Sequence, residues 1–150
     1  MRYCVVGAGR WDKNHIRTCA ELGVLSAVID SDAARLADIQ ATYPEIQTFQ
    51  SLSDDGALAF DAYSIAVPAE YHFDCAKTCI EAGKSVLIEK PITLTSDDAE
   101  TLGALAQQHG VQVLVGHLLL FHPAFVKMKS LVDSGKLGNV QYIYLSLIHI

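Results

Sequence analysis

Short apolar runs alternate with amphipathic stretches along most of the chain, and this alternation restricts the fold more than any other feature. RYCVVGAG, VLSAVID, DAYSIAVP, SVLIEKP and VQVLVGH read as strands, and Thr48–Gln50 as a short third strand at best. Their apolar residues are continuous rather than strictly alternating, the pattern of strands buried on both faces. The segments between them read as helices. Ile16, Cys19 and Ala20 share one side of the first, and Gly23 stops it. Ser31 and Asp32 open the second, which ends before Pro44. Gly83 closes the third. Ser96 reads as the cap of the fourth, with acids in its first turn and Gly110 at its end. A last helix begins after His122, with Pro123 in its first turn. Regular strand–helix alternation predicts an α/β fold, a doubly wound parallel sheet. The chain has 150 residues, 51% of them apolar and 19% charged, which suits one domain with a real core and is too little for two.

Eleven Lys and Arg stand against seventeen Asp and Glu, a net charge of −6. That balance argues against nucleic acid or an anionic membrane as the main partner. The longest apolar run, around VQVLVGHLLLF, is too short to span a bilayer and is interrupted by Gln112 and His117. The N-terminus does not read as a signal peptide. Cys4, Cys19, Cys75 and Cys79 form no CxxC pair, so they read as reduced thiols of a cytoplasmic protein with no metal site.

The strongest local signal is Gly7-Ala8-Gly9-Arg10-Trp11-Asp12, between the first strand and the first helix. Gly7 permits a tight turn, and Gly9 lets a pyrophosphate approach the backbone at a helix N-terminus. Asp30 closes the next strand, 21 residues after Gly9. A carboxylate there accepts the hydroxyls of an adenosine ribose and repels a 2′-phosphate. The pattern predicts dinucleotide binding, NAD rather than NADP. The sixth position of the fingerprint departs from the usual Gly or Ala. Asp12 is either a first-turn acid favoured by the helix dipole or a carboxylate that competes with the pyrophosphate.

Two further groups fall at strand ends, where open α/β sheets bind ligands. Glu89-Lys90-Pro91 ends the fifth strand, and Lys90 there is either a solvated cation or an acid/base group at the reacting end. Val67-Pro68 ends the fourth strand, and His72 falls in the first turn of the next helix, as a structural or a site residue.

GAGRWDKNH, AVPAEYHFDCAKTCIEAGKSVLIEKPIT and VLVGHLLLFHPAF together resemble the Gfo/Idh/MocA family of NAD(P)-dependent oxidoreductases, over roughly residues 1–144. The resemblance implies a Rossmann domain, with Gly7, Ala8, Gly9, Arg10 and Trp11 holding the pyrophosphate region and Asp30 the adenosine ribose. It implies that Val67, Pro68, His72, Glu89 and Lys90 line the nicotinamide end, with Lys90 as the acid/base or substrate-orienting residue. The implied reaction is hydride transfer between NAD and a sugar hydroxyl, by a protein that assembles as a homo-oligomer. The stretch from Val115 to Tyr144 further resembles members that oxidise nucleotide sugars. Two rivals remain: a non-catalytic dinucleotide-binding sugar sensor of the same family, and a Rossmann domain for another nucleotide such as a CoA thioester.

By the same resemblance, residues 1–120 form the dinucleotide domain. Residues 121–144 are a linking helix and the first strand, Val140–Tyr144, of a C-terminal substrate domain that this chain does not include. Leu145 to Ile150, LSLIHI, matches the translation of a transposon-end adapter used in sequencing libraries and reads as a non-native tail.

Overall fold

The computed structural model describes residues 1–144; the tail at 145–150 lies outside the described residues. Two compact units are present, Met1–Gly116 and a second beginning at His117.

The first unit holds six strands: β1 (Tyr3–Val6), β2 (Leu25–Ile29), β3 (Gln47–Phe49), β4 (Ala62–Ile65), β5 (Ser85–Ile88) and β6 (Val113–Val115). All pair in parallel, in the order β3-β2-β1-β4-β5-β6. This is the doubly wound order, with its switch point between β1 and β4. The connecting helices are α1 (Asp12–Glu21), α2 (Ala33–Thr42), α3 (His72–Glu81) and α4 (Ser96–His109).

The inner strands β1, β2 and β4 are buried on both faces, as their apolar runs require, while the edge strands β3 and β6 are partly exposed. One layer packs Cys4, Val6, Tyr63, Ile65 and Ile88 with Ile80 and Leu102. The other packs Val5 and Val28 with Ile16, Leu36 and Ile39. Tyr63 is fully buried, and its hydroxyl donates to the Ala57 carbonyl at 2.9 Å and accepts the Phe60 N–H at 3.2 Å.

The caps follow the local chemistry with one correction. Asp32 caps α2, accepting the N–H groups of Ala34 and Arg35. Thr95, not Ser96, caps α4: its hydroxyl accepts the Asp98 N–H, and Ser96 is the first helical residue. Both hydroxyl types suit the position, so residue type alone left the choice between adjacent residues open.

In the second unit, α5 (Pro123–Asp133) starts on His122, whose ring accepts the Ala124 N–H. The strand expected at Val140–Tyr144 is not formed. A strand needs a partner for its backbone N–H and C=O groups, and no described segment pairs with this one.

Candidate functional site

Strands β1 and β2 end side by side, and the loop after β1 turns across their ends. The Gly7 N–H donates to the Ile29 carbonyl at 2.7 Å. Gly7 has a φ of 114°, and a Cβ there would collide with the Asp12 carboxylate. The turn therefore needs glycine, both for its backbone and for its space.

A cavity of about 900 Å³ opens over this edge. Its walls include Gly7, Gly9, Arg10, Asp30, Val67 and Pro68, six of the residues expected to hold a cofactor. Ala8 is not among them, being buried, although its N–H takes part in the loop. Trp11, half exposed, also stands outside the lining, as do His72, Glu89 and Lys90. The cavity thus spans the region expected for the adenosine and pyrophosphate halves of a dinucleotide.

Asp30 is held firmly. Its Oδ2 accepts the Ala8 N–H at 2.7 Å, and its Oδ1 accepts the Asp32 N–H at 2.9 Å. Each carboxylate oxygen keeps a further acceptor site for a ribose hydroxyl. Arg35 on α2 also lines the cavity, with Nη1 3.5 Å from Asp30 Oδ2 and Nε 3.3 Å from Asp32. Sequence reasoning missed Arg35. Its signal was a cation in the first turn of the helix after the ribose acid, where an arginine accommodates a 2′-phosphate.

Asp12 turns inward. Its Oδ2 accepts the Gly9 N–H at 2.7 Å, and the residue is only 6% exposed. A Cβ at Gly9 would lie 3.1 Å from that oxygen. Burial pushes the Asp12 carboxyl above its usual range; the Gly9 N–H pulls it down, Asp30 pushes it up and His15 pulls it down. The competing-carboxylate alternative therefore has a geometric basis: the group occupies the loop's own donor.

At the end of β5, Glu89 is buried while Lys90 is exposed. Glu89 Oε1 accepts His15 Nε2–H at 2.8 Å, and Oε2 accepts the Lys90 N–H at 3.2 Å. Burial alone would raise the Glu89 carboxyl, but hydrogen bonding from the Trp11 and His15 side chains and the Lys90 N–H holds it below its usual range. Gly116 must be small here, since a Cβ would lie 3.2 Å from this carboxylate.

His72 begins α3, as expected, but is 1% exposed. Its Nδ1 lies 2.7 Å from the Pro91 carbonyl and its Nε2 2.8 Å from the Val67 carbonyl. Both neighbours are carbonyl oxygens and a neutral ring has one N–H, so it donates to one of them and lies against the other, set between the two strand-end segments and outside the cavity lining. The structural alternative for His72 is the one this geometry supports.

Among the described residues, no group of three or more His, Cys, Asp and Glu is gathered to hold a metal ion. None of their helices is long and apolar enough to cross a membrane.

Comparison with known proteins identifies the lineage of this architecture. The profile of an oxidoreductase family with an NAD-binding Rossmann fold, GFO_IDH_MocA, matches residues 1–117. The chain belongs to the Gfo/Idh/MocA oxidoreductase family. It is 36% identical over 125 residues to UDP-N-acetylglucosamine 3-dehydrogenase of Acidithiobacillus ferrooxidans, covering 83% of this chain and 39% of the relative. It is 35% identical over 147 residues to inositol 2-dehydrogenase of Corynebacterium glutamicum strain R, covering 93% of this chain and 43% of the relative. Among solved structures, the WlbA dehydrogenase of Bordetella pertussis, in complex with NADH and UDP-GlcNAcA, superposes with a TM-score of 0.84 at 29% identity, covering 91% of this chain and 43% of that one. The chain thus spans about two fifths of the length of these relatives. For this Gfo/Idh/MocA chain, the doubly wound order and the glycine loop are the family's NAD-binding fold.

Proposed function

We propose that this chain is the cofactor domain of an NAD-dependent oxidoreductase that transfers a hydride between nicotinamide and a sugar or nucleotide-sugar hydroxyl. The observation that carries the reading is the placement of Asp30. Its carboxylate is pinned by the Ala8 N–H at the wall of the cavity, at the end of β2 beside the glycine loop that follows β1. The relatives' names, a nucleotide-sugar 3-dehydrogenase and an inositol dehydrogenase, support a carbinol substrate of sugar type.

Bound NAD supplies the hydride acceptor. The chain's residues supply placement and proton handling. The loop N–H groups and the N-terminus of α1 favour a pyrophosphate. Asp30 accepts the ribose hydroxyls. Lys90, exposed at the end of β5, takes the proton of the substrate hydroxyl as the hydride leaves the carbinol carbon, or orients that hydroxyl. The whole protein works in the cytoplasm as a homo-oligomer, a state that light scattering would read.

Fluorescence titration with NADH tests the reading. Saturable binding, with CoA unable to compete, is the expected result. Competition by CoA would favour a Rossmann domain for another nucleotide. NADH binding without turnover of any sugar by the whole protein would favour a sensor.

A further inference from the structure

Three polar side chains that the proposed hydride step leaves unused are joined in series beneath the cofactor edge. Ser64 on β4 lies 2.9 Å from His15 Nδ1, and His15 Nε2 lies 2.8 Å from Glu89 Oε1. Ser64 and Glu89 are 1% and 5% exposed. An ionised carboxylate only accepts, so Nε2 carries the hydrogen, and in that tautomer Nδ1 is the acceptor for the Ser64 hydroxyl. Hydrogen bonding holds the Glu89 carboxyl below its usual range, consistent with an ionised acceptor.

A buried carboxylate of this kind is costly, and apolar side chains of similar volume would stabilise the spot at least as well. What the network does, and an apolar cluster could not, is tie two functional segments together. His15 stands on α1, whose N-terminus carries Gly9 to Trp11. Glu89 uses its other oxygen to hold the main-chain N–H of Lys90. One carboxylate therefore joins the phosphate-receiving helix to the lysine of the reacting end. We propose that His15 is a positioning residue that acts through Glu89, setting Lys90 in a fixed relation to the phosphate-binding end of α1. The inference rests on the reading of Lys90 as the group at the reacting end. The other titratable neighbours are Asp12, which His15 faces on α1, Tyr3 on β1, whose hydroxyl meets Ser64, and Lys90 itself.

The test uses the 150-residue chain labelled with ¹⁵N, in wild type, His15→Leu and His15→Gln. In wild type the Lys90 amide resonance should titrate with Glu89, below the ordinary glutamate range. In His15→Leu the midpoint should rise, and Lys90 amide exchange should quicken by about tenfold, as for loss of one hydrogen bond to a charged group. Amides of the distant strand β2 should exchange as before. His15→Gln, whose side-chain amide can still donate to Glu89, should restore both readouts. An unchanged midpoint and an unchanged Lys90 exchange rate in folded His15→Leu would overturn the proposal. Should that variant not fold, His15→Asn carries the same readouts, because its shorter side chain does not span to Glu89; unchanged values there overturn the proposal equally. Failure of wild type to bind NADH would overturn the dinucleotide reading instead, and the Lys90 amide reports without any ligand.

Discussion

Asp12 Oδ2 accepts the Gly9 N–H at 2.7 Å, so the loop that would receive a pyrophosphate already holds an anion of its own. A bound cofactor must displace this carboxylate or sit against it. Repulsion between the carboxylate and the phosphates, reduced by solvent, is on the order of 1–2 kcal/mol, about 5- to 30-fold in dissociation constant. Asp12→Gly is expected to tighten NADH binding several-fold while slightly lowering the stability of the free protein. Calorimetric titration of both forms reads the difference; unchanged or weaker binding in the variant would show that Asp12 leaves the phosphates unobstructed.

The same contact has a pH dependence of definite sign. The Asp12 carboxyl is raised by burial above its usual value, so its ionised form weakens the folded state and the proton is held more tightly there. The stability from this group is present at low pH and is lost as pH rises through the raised value. Phosphates placed beside it raise it further, so binding takes up a proton. NADH affinity should therefore increase as pH falls towards and through the raised Asp12 value, and Asp12→Asn should flatten the curve. A wild-type curve that matches the Asn variant would remove Asp12 from the account.

NADH is expected to bind more tightly than NADPH. Asp30 at the cavity wall meets a 2′-phosphate with like charge, a difference of roughly 2–4 kcal/mol, or about 30- to 1000-fold. Arg35, 3.5 Å from Asp30, offsets part of this. Half exposed and screened by solvent, it leaves the preference at the lower end of that range. Arg35→Ala should widen the gap by weakening NADPH alone. Equal dissociation constants in wild type would refute the role given to Asp30.

Lys90→Ala, in the whole protein, should lower kcat by about 10²- to 10⁴-fold, the usual contribution of an acid/base group. NADH binding should stay nearly intact, because Lys90 lies outside the cavity. A kcat within a few-fold of wild type would make Lys90 a solvated cation.

His72→Phe should destabilise the fold rather than change chemistry. It removes the ring set between the Val67 and Pro91 carbonyls and leaves the carbonyl that accepts its N–H without that donor, at about 1–3 kcal/mol. Urea denaturation should show a lower midpoint with an unchanged slope. A midpoint equal to wild type would mean the ring is not a brace.

Much of the fold was legible in the sequence because its signals are local. Continuous apolar runs marked five of the six strands, the short β3 (Gln-Thr-Phe) carrying none, and glycines, acids and prolines marked the helix ends. The spacing of Gly7, Gly9 and Asp30 along consecutive elements placed the ribose acid beside the loop, since a strand–turn–helix–strand unit has little freedom. The direction of Asp12, the closeness of Arg35 to Asp30, the enclosure of His72 and the link between His15 and Glu89, 74 residues apart, were not legible. They depend on which strands become neighbours and in what register. Hydrophobic pattern reports only whether a residue faces core or solvent. The distance between two side chains on different elements is set by the packing of β1 against β4 and of β4 against β5, and only the tertiary structure decides that.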